Sequence, residues 1–177
     1  MAKTIFITGG ARSGKSRFAE ELARQFGAPL GYLATAQTLD DEMEERVRKH
    51  RLRRGDAWQT VEEPLHLSQA LVRCDDTCKA VLVDCLTLWL SNLLFHYEEQ
   101  GEDAEARILE DVHSLTATLR KMRTPVIIVS NEVGQGIVPE NRLARRFRDM
   151  AGQANQLLAA MADEAHVVIS GIPLRLK

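Results

Sequence analysis

Gly9-Gly10-Ala11-Arg12-Ser13-Gly14-Lys15-Ser16, which follows the apolar run Thr4-Ile5-Phe6-Ile7-Thr8, is the stretch that decides the fold. It has the spacing G-x-x-x-x-G-K-S/T, set between a strand and the start of a helix. Glycines there let the backbone curl until successive N–H groups face phosphate oxygens, and a helix beginning near Lys15 adds the positive end of its dipole. On this reading Gly9, Gly10, Ala11, Arg12, Ser13, Gly14, Lys15 and Ser16 cradle the phosphates of a nucleoside triphosphate. The Lys15 ammonium reaches the outer phosphates and the Ser16 hydroxyl is a ligand for Mg2+. The competing reading is a glycine-rich turn that has the spacing by accident.

Working outward, Phe18, Leu22 and Phe26 recur every four residues and end at Gly27 and Pro29, as a helix closing on its C-terminus does. Further apolar runs at Leu30 to Ala34, Gln59 to Val61, Ala80 to Val83, Val126 to Ser130 and Val167 to Ser170 read as strands. Most lack polar alternation, as strands buried on both faces should. Helical stripes separate them: Ile108, Val112, Leu115, Leu119 and Met122 form one, and Leu143, Phe147, Met150, Ala154 and Leu158 another. These stripes read as core. The alternation predicts an α/β fold of the P-loop NTPase kind, RecA-like, with a mostly parallel sheet flanked by helices. Asp84 closes the run Ala80-Val81-Leu82-Val83 and is the candidate second metal ligand, able to hold Mg2+ or its water shell. Its alternative role is a turn former or helix cap.

A length of 177 residues predicts a single domain over 1–177. With 45% hydrophobic and 27% charged residues and a net charge of -2, the composition excludes a disordered tail and a basic nucleic-acid binder. The opening apolar run is far too short for a signal peptide or a membrane span, so a cytoplasmic location is expected. Cys74, Cys78 and Cys85 are odd in number and lack a second ligand pair, which argues against a disulfide framework or a four-ligand zinc site.

Thr38-Leu39-Asp40-Asp41 has the look of a capping box, and Glu42 with Arg46, Glu44 with Arg48 and Glu45 with Lys49 are spaced i,i+4. A helix over about 40–54 is predicted. Met43, Val47 and His50 fall on its inward side, amid Arg46, Arg48, Lys49, Arg51, Arg53 and Arg54. Such cations keep an imidazole neutral, competent as a nucleophile toward phosphorus, and stabilise a departing pyrophosphate. A half-buried helix histidine beside a solvated charged face is the competing reading. His66, His96, His113 and His166 lack comparable surroundings.

Together, Ile7 to Ser16, Ala34-Thr35-Ala36, Asp40-Asp41-Glu42-Met43 leading to His50, and Ser130-Asn131-Glu132-Val133-Gly134-Gln135-Gly136-Ile137-Val138-Pro139 followed by Phe147-Arg148-Asp149 closely resemble the bifunctional adenosylcobinamide kinase and adenosylcobinamide-phosphate guanylyltransferase family of cobalamin biosynthesis. The resemblance spans essentially the whole chain. It implies phosphorylation of the aminopropanol hydroxyl of adenosylcobinamide, a corrinoid, then transfer of GMP from GTP to that phosphate with release of pyrophosphate. It further implies that the matching histidine, His50, is guanylylated, that Ala34, Thr35, Ala36, Arg51, Leu52, Arg53, Arg54, Glu62 and Asp84 join the glycine loop in contacting the guanine nucleotide, and that the protein is a homotrimer using GTP, ATP and Mg2+. Gly134 to Pro139 reads as a glycine-rich loop on the ligand-bearing edge of the sheet, suited to substrate or subunit contact, with a mere connecting loop as the competing reading.

Two other functions compete. A P-loop kinase without guanylyl transfer would need Lys15 and not His50. A nucleotide switch would be expected to carry Asn-Lys-x-Asp, which Asn131-Glu132-Val133-Gly134 does not supply.

Overall fold

The computed structural model describes residues 2–36, 55–101 and 103–177. In chain order its elements are β1 (Thr4–Gly9), α1 (Lys15–Arg24), β2 (Leu30–Ala34), β3 (Trp58–Glu62), α2 (Leu67–Cys74), β4 (Ala80–Asp84), α3 (Leu86–Glu99), α4 (Ala104–Leu119), β5 (Val126–Val129), α5 (Arg142–Met161), β6 (Glu164–Ile169) and β7 (Ile172–Arg175). The predicted helix over 40–54 lies outside the described residues.

The strands form one sheet in the order β3-β2-β4-β5-β1-β6-β7. Every neighbouring pair is parallel except β6–β7. Alternate side chains along each central strand enter two separate cores, which is why the strands read as unbroken apolar runs. Phe6, Leu33, Val81, Val83, Val126 and Ile128 pack under α2 to α5 on one face. Ile5, Ile7, Tyr32, Leu82, Ile127 and Val129 pack with Ala19 and Ala23 of α1 on the other. The two predicted stripes hold as predicted: Ile108, Val112, Leu115 and Leu119 are buried along α4, and Met150, Ala154 and Leu158 along α5.

Four features go beyond the sequence reading. Helix α3 buries Leu86, Thr87, Trp89, Leu90, Leu93 and Leu94 and leaves Leu88 and Phe95 exposed, so apolar residues stand on both sides of it and no amphipathic stripe marks it. Helix α2 has 8 residues, too short for a periodic signal. The last strand β7 returns antiparallel through Ser170 (φ 51°) and Gly171 (φ 81°), two consecutive left-handed residues of a tight hairpin. Strand β6 also starts at Glu164 rather than Val167, since Glu164 is held by Lys3 at 2.8 Å and the buried His166 packs edge-on against Phe18. Among the described residues no helix is long and apolar enough to cross a membrane.

Candidate active site

Register sets the site. Glu62, Ala34 and Asp84 pair across β3, β2 and β4, Asp84 pairs with Val129 of β5, and Val129 pairs with Ile7 of β1. This cross-strand row is near the carboxyl ends of the strands, where ligands bind in parallel sheets. The glycine loop leaves β1 two residues beyond Ile7, and Asp84 is the last residue of β4, with only β5 between them.

The loop is held at both ends. At its start, the Glu132 N–H donates to the Gly9 carbonyl at 3.0 Å, and a Cβ on Gly9 would lie 2.5 Å from the Val168 carbonyl oxygen. At its far end, the Gly171 N–H donates to the Ser13 carbonyl at 2.8 Å. Gly14, at φ 96°, serves as the N-cap of α1, and its absent Cβ would sit 3.1 Å from the Gly171 Cα. Between these anchors Gly10, Ala11 and Arg12 are exposed. Helix α1 has no side-chain cap and no acidic residue in its first turn. Its N-terminal amides and positive dipole end are thus left for an external anion.

Lys15 is buried, with Nζ donating to the Gly10 carbonyl at 3.0 Å. Burial holds its pKa below the ordinary lysine value, against the opposing pull of the Asp84 carboxylate nearby. A poorly hydrated ammonium beside an open loop is a strong attractor for phosphate oxygens. Asp84 is half-buried, and its Oδ2 accepts the Tyr32 phenol at 3.0 Å, which fixes the carboxylate's plane. Behind it, Thr35 clamps the following residue: its hydroxyl donates to the Cys85 carbonyl at 2.7 Å and accepts the Cys85 N–H at 2.9 Å. Burial and then the Asp84 charge push the Cys85 thiol up to about 11, so it stays protonated and inert at neutral pH.

The structure thus gathers the glycine loop, Lys15, Ser16, Ala34, Thr35, Ala36 and Asp84 at one sheet edge. Glu62 ends β3 on the same row, exposed at the outer strand. His50, Arg51, Leu52, Arg53 and Arg54 lie outside the described residues. Ser16 and Asp84 offer hard oxygen donors, which suit a magnesium ion that keeps waters and takes phosphate oxygens as further ligands. Among the described residues no group of three or more His, Cys, Asp or Glu is placed to hold a metal ion. Sequence reasoning missed Tyr32 and Gly171. The dipeptide Ser170-Gly171 between two short apolar runs is a hairpin signal that could have found the second; nothing local marks the first.

Residues 5–176 match the family described as CobU, cobinamide kinase / cobinamide phosphate guanyltransferase. The bifunctional adenosylcobalamin biosynthesis protein CobU of Escherichia coli (strain K12) is 45% identical over 180 residues, covering 98% of this chain and 99% of that protein. The bifunctional adenosylcobalamin biosynthesis protein CobP of Pseudomonas aeruginosa is 43% identical over 171 residues, covering 97% of this chain and 95% of that one. Among solved structures, the flagellar accessory protein FlaH of Methanocaldococcus jannaschii superposes with a TM-score of 0.56 at 14% identity, covering 99% of this chain and 78% of that chain. The RadB recombinase does so with 0.54 at 14% identity, covering 93% of this chain and 73% of its own. At that identity the two structures speak for the RecA-like fold alone.

Proposed function

The chain belongs to the cobinamide kinase / cobinamide phosphate guanyltransferase family, and on that premise we propose how its site carries out two successive transfers on one corrinoid alcohol. First the hydroxyl of adenosylcobinamide attacks the γ-phosphorus of a nucleoside triphosphate; the bond to the bridging oxygen breaks, the nucleoside diphosphate leaves and the hydroxyl proton goes to solvent. Then GMP passes from GTP to the new phosphate, giving adenosylcobinamide-GDP and pyrophosphate. The observation that carries the reading is the full-length family match joined to a pre-built phosphate cradle with Lys15 and Asp84 at one sheet edge.

In the first transfer the amides of Gly9 to Ser16 and the Lys15 ammonium bind the transferring phosphates and stabilise charge that spreads over their oxygens. Ser16 and Asp84 would hold Mg2+, which would supply further neutralisation of the same charge. Tyr32 keeps the Asp84 carboxylate turned toward that role. For the second transfer we assign the nucleophile to His50: its imidazole nitrogen bonds to the α-phosphorus of GTP as pyrophosphate departs, and the acceptor phosphate oxygen then displaces it. Arg51, Leu52, Arg53, Arg54, Glu62 and Ala34 to Ala36 complete the guanine nucleotide's surroundings in this reading, with ATP or GTP as donor to the kinase step. The assignment is supported by the family resemblance and by the basic run around His50 in the sequence.

The same reading makes residues 1–177 one cytoplasmic domain and the working protein a homotrimer. An apolar strip at the sheet's end, with Ile169, Ile172, Leu174 and Leu176 all about half exposed or more, supports self-association. The test of the double activity is labelling with GTP carrying label at the α-phosphate. The protein is expected to acquire acid-labile, alkali-stable label that His50→Ala abolishes while the kinase step survives. Wild-type protein that turns over without taking up label would sink the covalent route.

A further inference from the structure

Asn155 lies on the core face of α5 between the buried Ala151, Ala154 and Leu158. An amide in such surroundings persists only when hydrogen-bonded. Its Oδ1 accepts the Ser130 hydroxyl at 2.6 Å, and its Nδ2 donates to the Asn131 carbonyl at 3.2 Å. The Asn131 N–H donates to the Thr87 hydroxyl of α3 at 2.7 Å, and that hydroxyl lies 3.3 Å from the Ser130 Oγ. A closed ring therefore grips Asn131 from two sides: α3 holds its N–H and α5 holds its carbonyl.

The gripped residue stands where the chain leaves β5, between the strand that ends in Asp84 and the strand that feeds the glycine loop. The next N–H, that of Glu132, is the one that donates to the Gly9 carbonyl. The Asn131 side chain reaches across to 4.0 Å from the Cys85 Sγ, beside Asp84 and Lys15. Any rotation of the peptide that Asn155 holds would move the floor between the two phosphate-handling elements.

We propose that Asn155 is a positioning residue for the transfer reactions: through the Asn131 carbonyl it fixes the Asn131–Glu132 segment that separates the phosphate-binding loop from Asp84. This rests on the nucleotide being seated on Gly9 to Ser16. The phosphate-facing half of the loop is anchored separately, by the Gly171 bond to Ser13 and by α1. Losing the ring should therefore disturb alignment for reaction more than nucleotide affinity, and misplacement of about 1 Å costs on the order of a hundredfold in rate.

The experiment measures kcat for the kinase step with adenosylcobinamide, nucleotide Kd by direct binding, and thermal stability, for Asn155→Leu and Thr87→Val. Asn155→Leu is expected to lower kcat at least about tenfold while Kd changes less than about threefold. Thr87→Val frees the N–H side of the same residue, Asn131, and should show the same split. It also keeps the question answerable if Asn155→Leu does not fold. Because both act through Asn131, the double variant should lose no more than the worse single variant. Asp75→Asn, whose partners are the Arg123 and Thr124 amides at the opposite edge of the sheet, lowers stability and should keep kcat. Unchanged kcat in folded Asn155→Leu or Thr87→Val, with only stability reduced, overturns the proposal. So does a loss confined to Kd. A parallel Lys15→Ala protein separates the premises: full activity there removes the loop from the reaction and the proposal with it, whereas loss there beside an unaffected Asn155→Leu defeats the proposal alone.

Discussion

Replacing Gly9 by alanine tests whether the phosphate loop is set by steric fit at its first residue. The added Cβ would lie 2.5 Å from the Val168 carbonyl oxygen and 2.7 Å from the Ser13 Oγ. Real Cβ contacts essentially never fall under 3.0 Å, so the carbonyl and Gly9 must part by at least 3.0 − 2.5 = 0.5 Å. The Ser13 hydroxyl can rotate away; the Val168 carbonyl, in a strand paired to β1, cannot. Overpacking of this kind costs about 1–3 kcal/mol. At about 2–4 °C per kcal/mol for a chain of this size, a fall in Tm of about 4–8 °C is expected at the middle of that range.

Here Gly9 itself is displaced, and the amides that follow it in the loop move with it, a direct shift that losing the Asn155 contact does not impose. Hydrogen bonds to charged groups contribute about 1.5–3 kcal/mol each, so misaiming one of them should weaken nucleotide binding about tenfold or more. Gly10→Ala is the matched control, since a Cβ there meets nothing within 4 Å. Its Tm should stay within about 1–2 °C of the parent, as an exposed substitution without steric conflict shifts stability by about 0.5 kcal/mol or less. Thermal unfolding without nucleotide, then nucleotide titration, reads both terms. A Gly9→Ala protein that melts with Gly10→Ala and the parent would refute the steric argument.

Two further outcomes follow from charge. Lys15 has a lowered pKa because it is buried, so it loses its proton below the usual lysine range, and nucleotide affinity should decline as pH rises through that lowered value. Bound phosphate opposes the shift, so alkaline binding should take up protons, visible as buffer-dependent heats in calorimetry; a flat affinity up to about pH 10 contradicts this. For Asp75 burial raises the pKa, but the Thr124 and Arg123 amides outweigh it and the net value is lowered from 3.8. Its contribution is therefore present above that unfolded value and is lost as pH falls through the folded one. Asp75→Asn should cost about 1–2 kcal/mol at neutral pH, and its denaturation curve should converge with the parent's in strong acid; a constant gap down to about pH 2 would exclude the linkage.

What was legible in the sequence and what was not divides along the distance between causes. The loop could be read because strand, glycines, lysine and helix lie in one short segment, and each residue's reason is local. Asp84 could be found because a phosphate-binding loop shares its metal with an acid at a strand end. The parts that hold the loop still are of another kind. Glu132, Gly171, Tyr32 and Asn155 acquire their roles only once the sheet order sets β5 and β6 on either side of β1 and β2 beside β4. Asn155 shows the difference most sharply. In a stripe running Met150, Ala154, Leu158 it reads as a polar interruption, and helix periodicity has no term for an amide that crosses to a strand terminus. Likewise α3 was silent because apolar residues stand on its exposed side too, Leu88 and Phe95 among them, yet it supplies Thr87 to the site's floor and, through Asn92, a hydrogen bond to the Thr35 carbonyl at 2.8 Å. A phosphate loop carries its own local signature; the buried polar contacts from two helices that carry no motif hold the Asn131–Glu132 segment beside it.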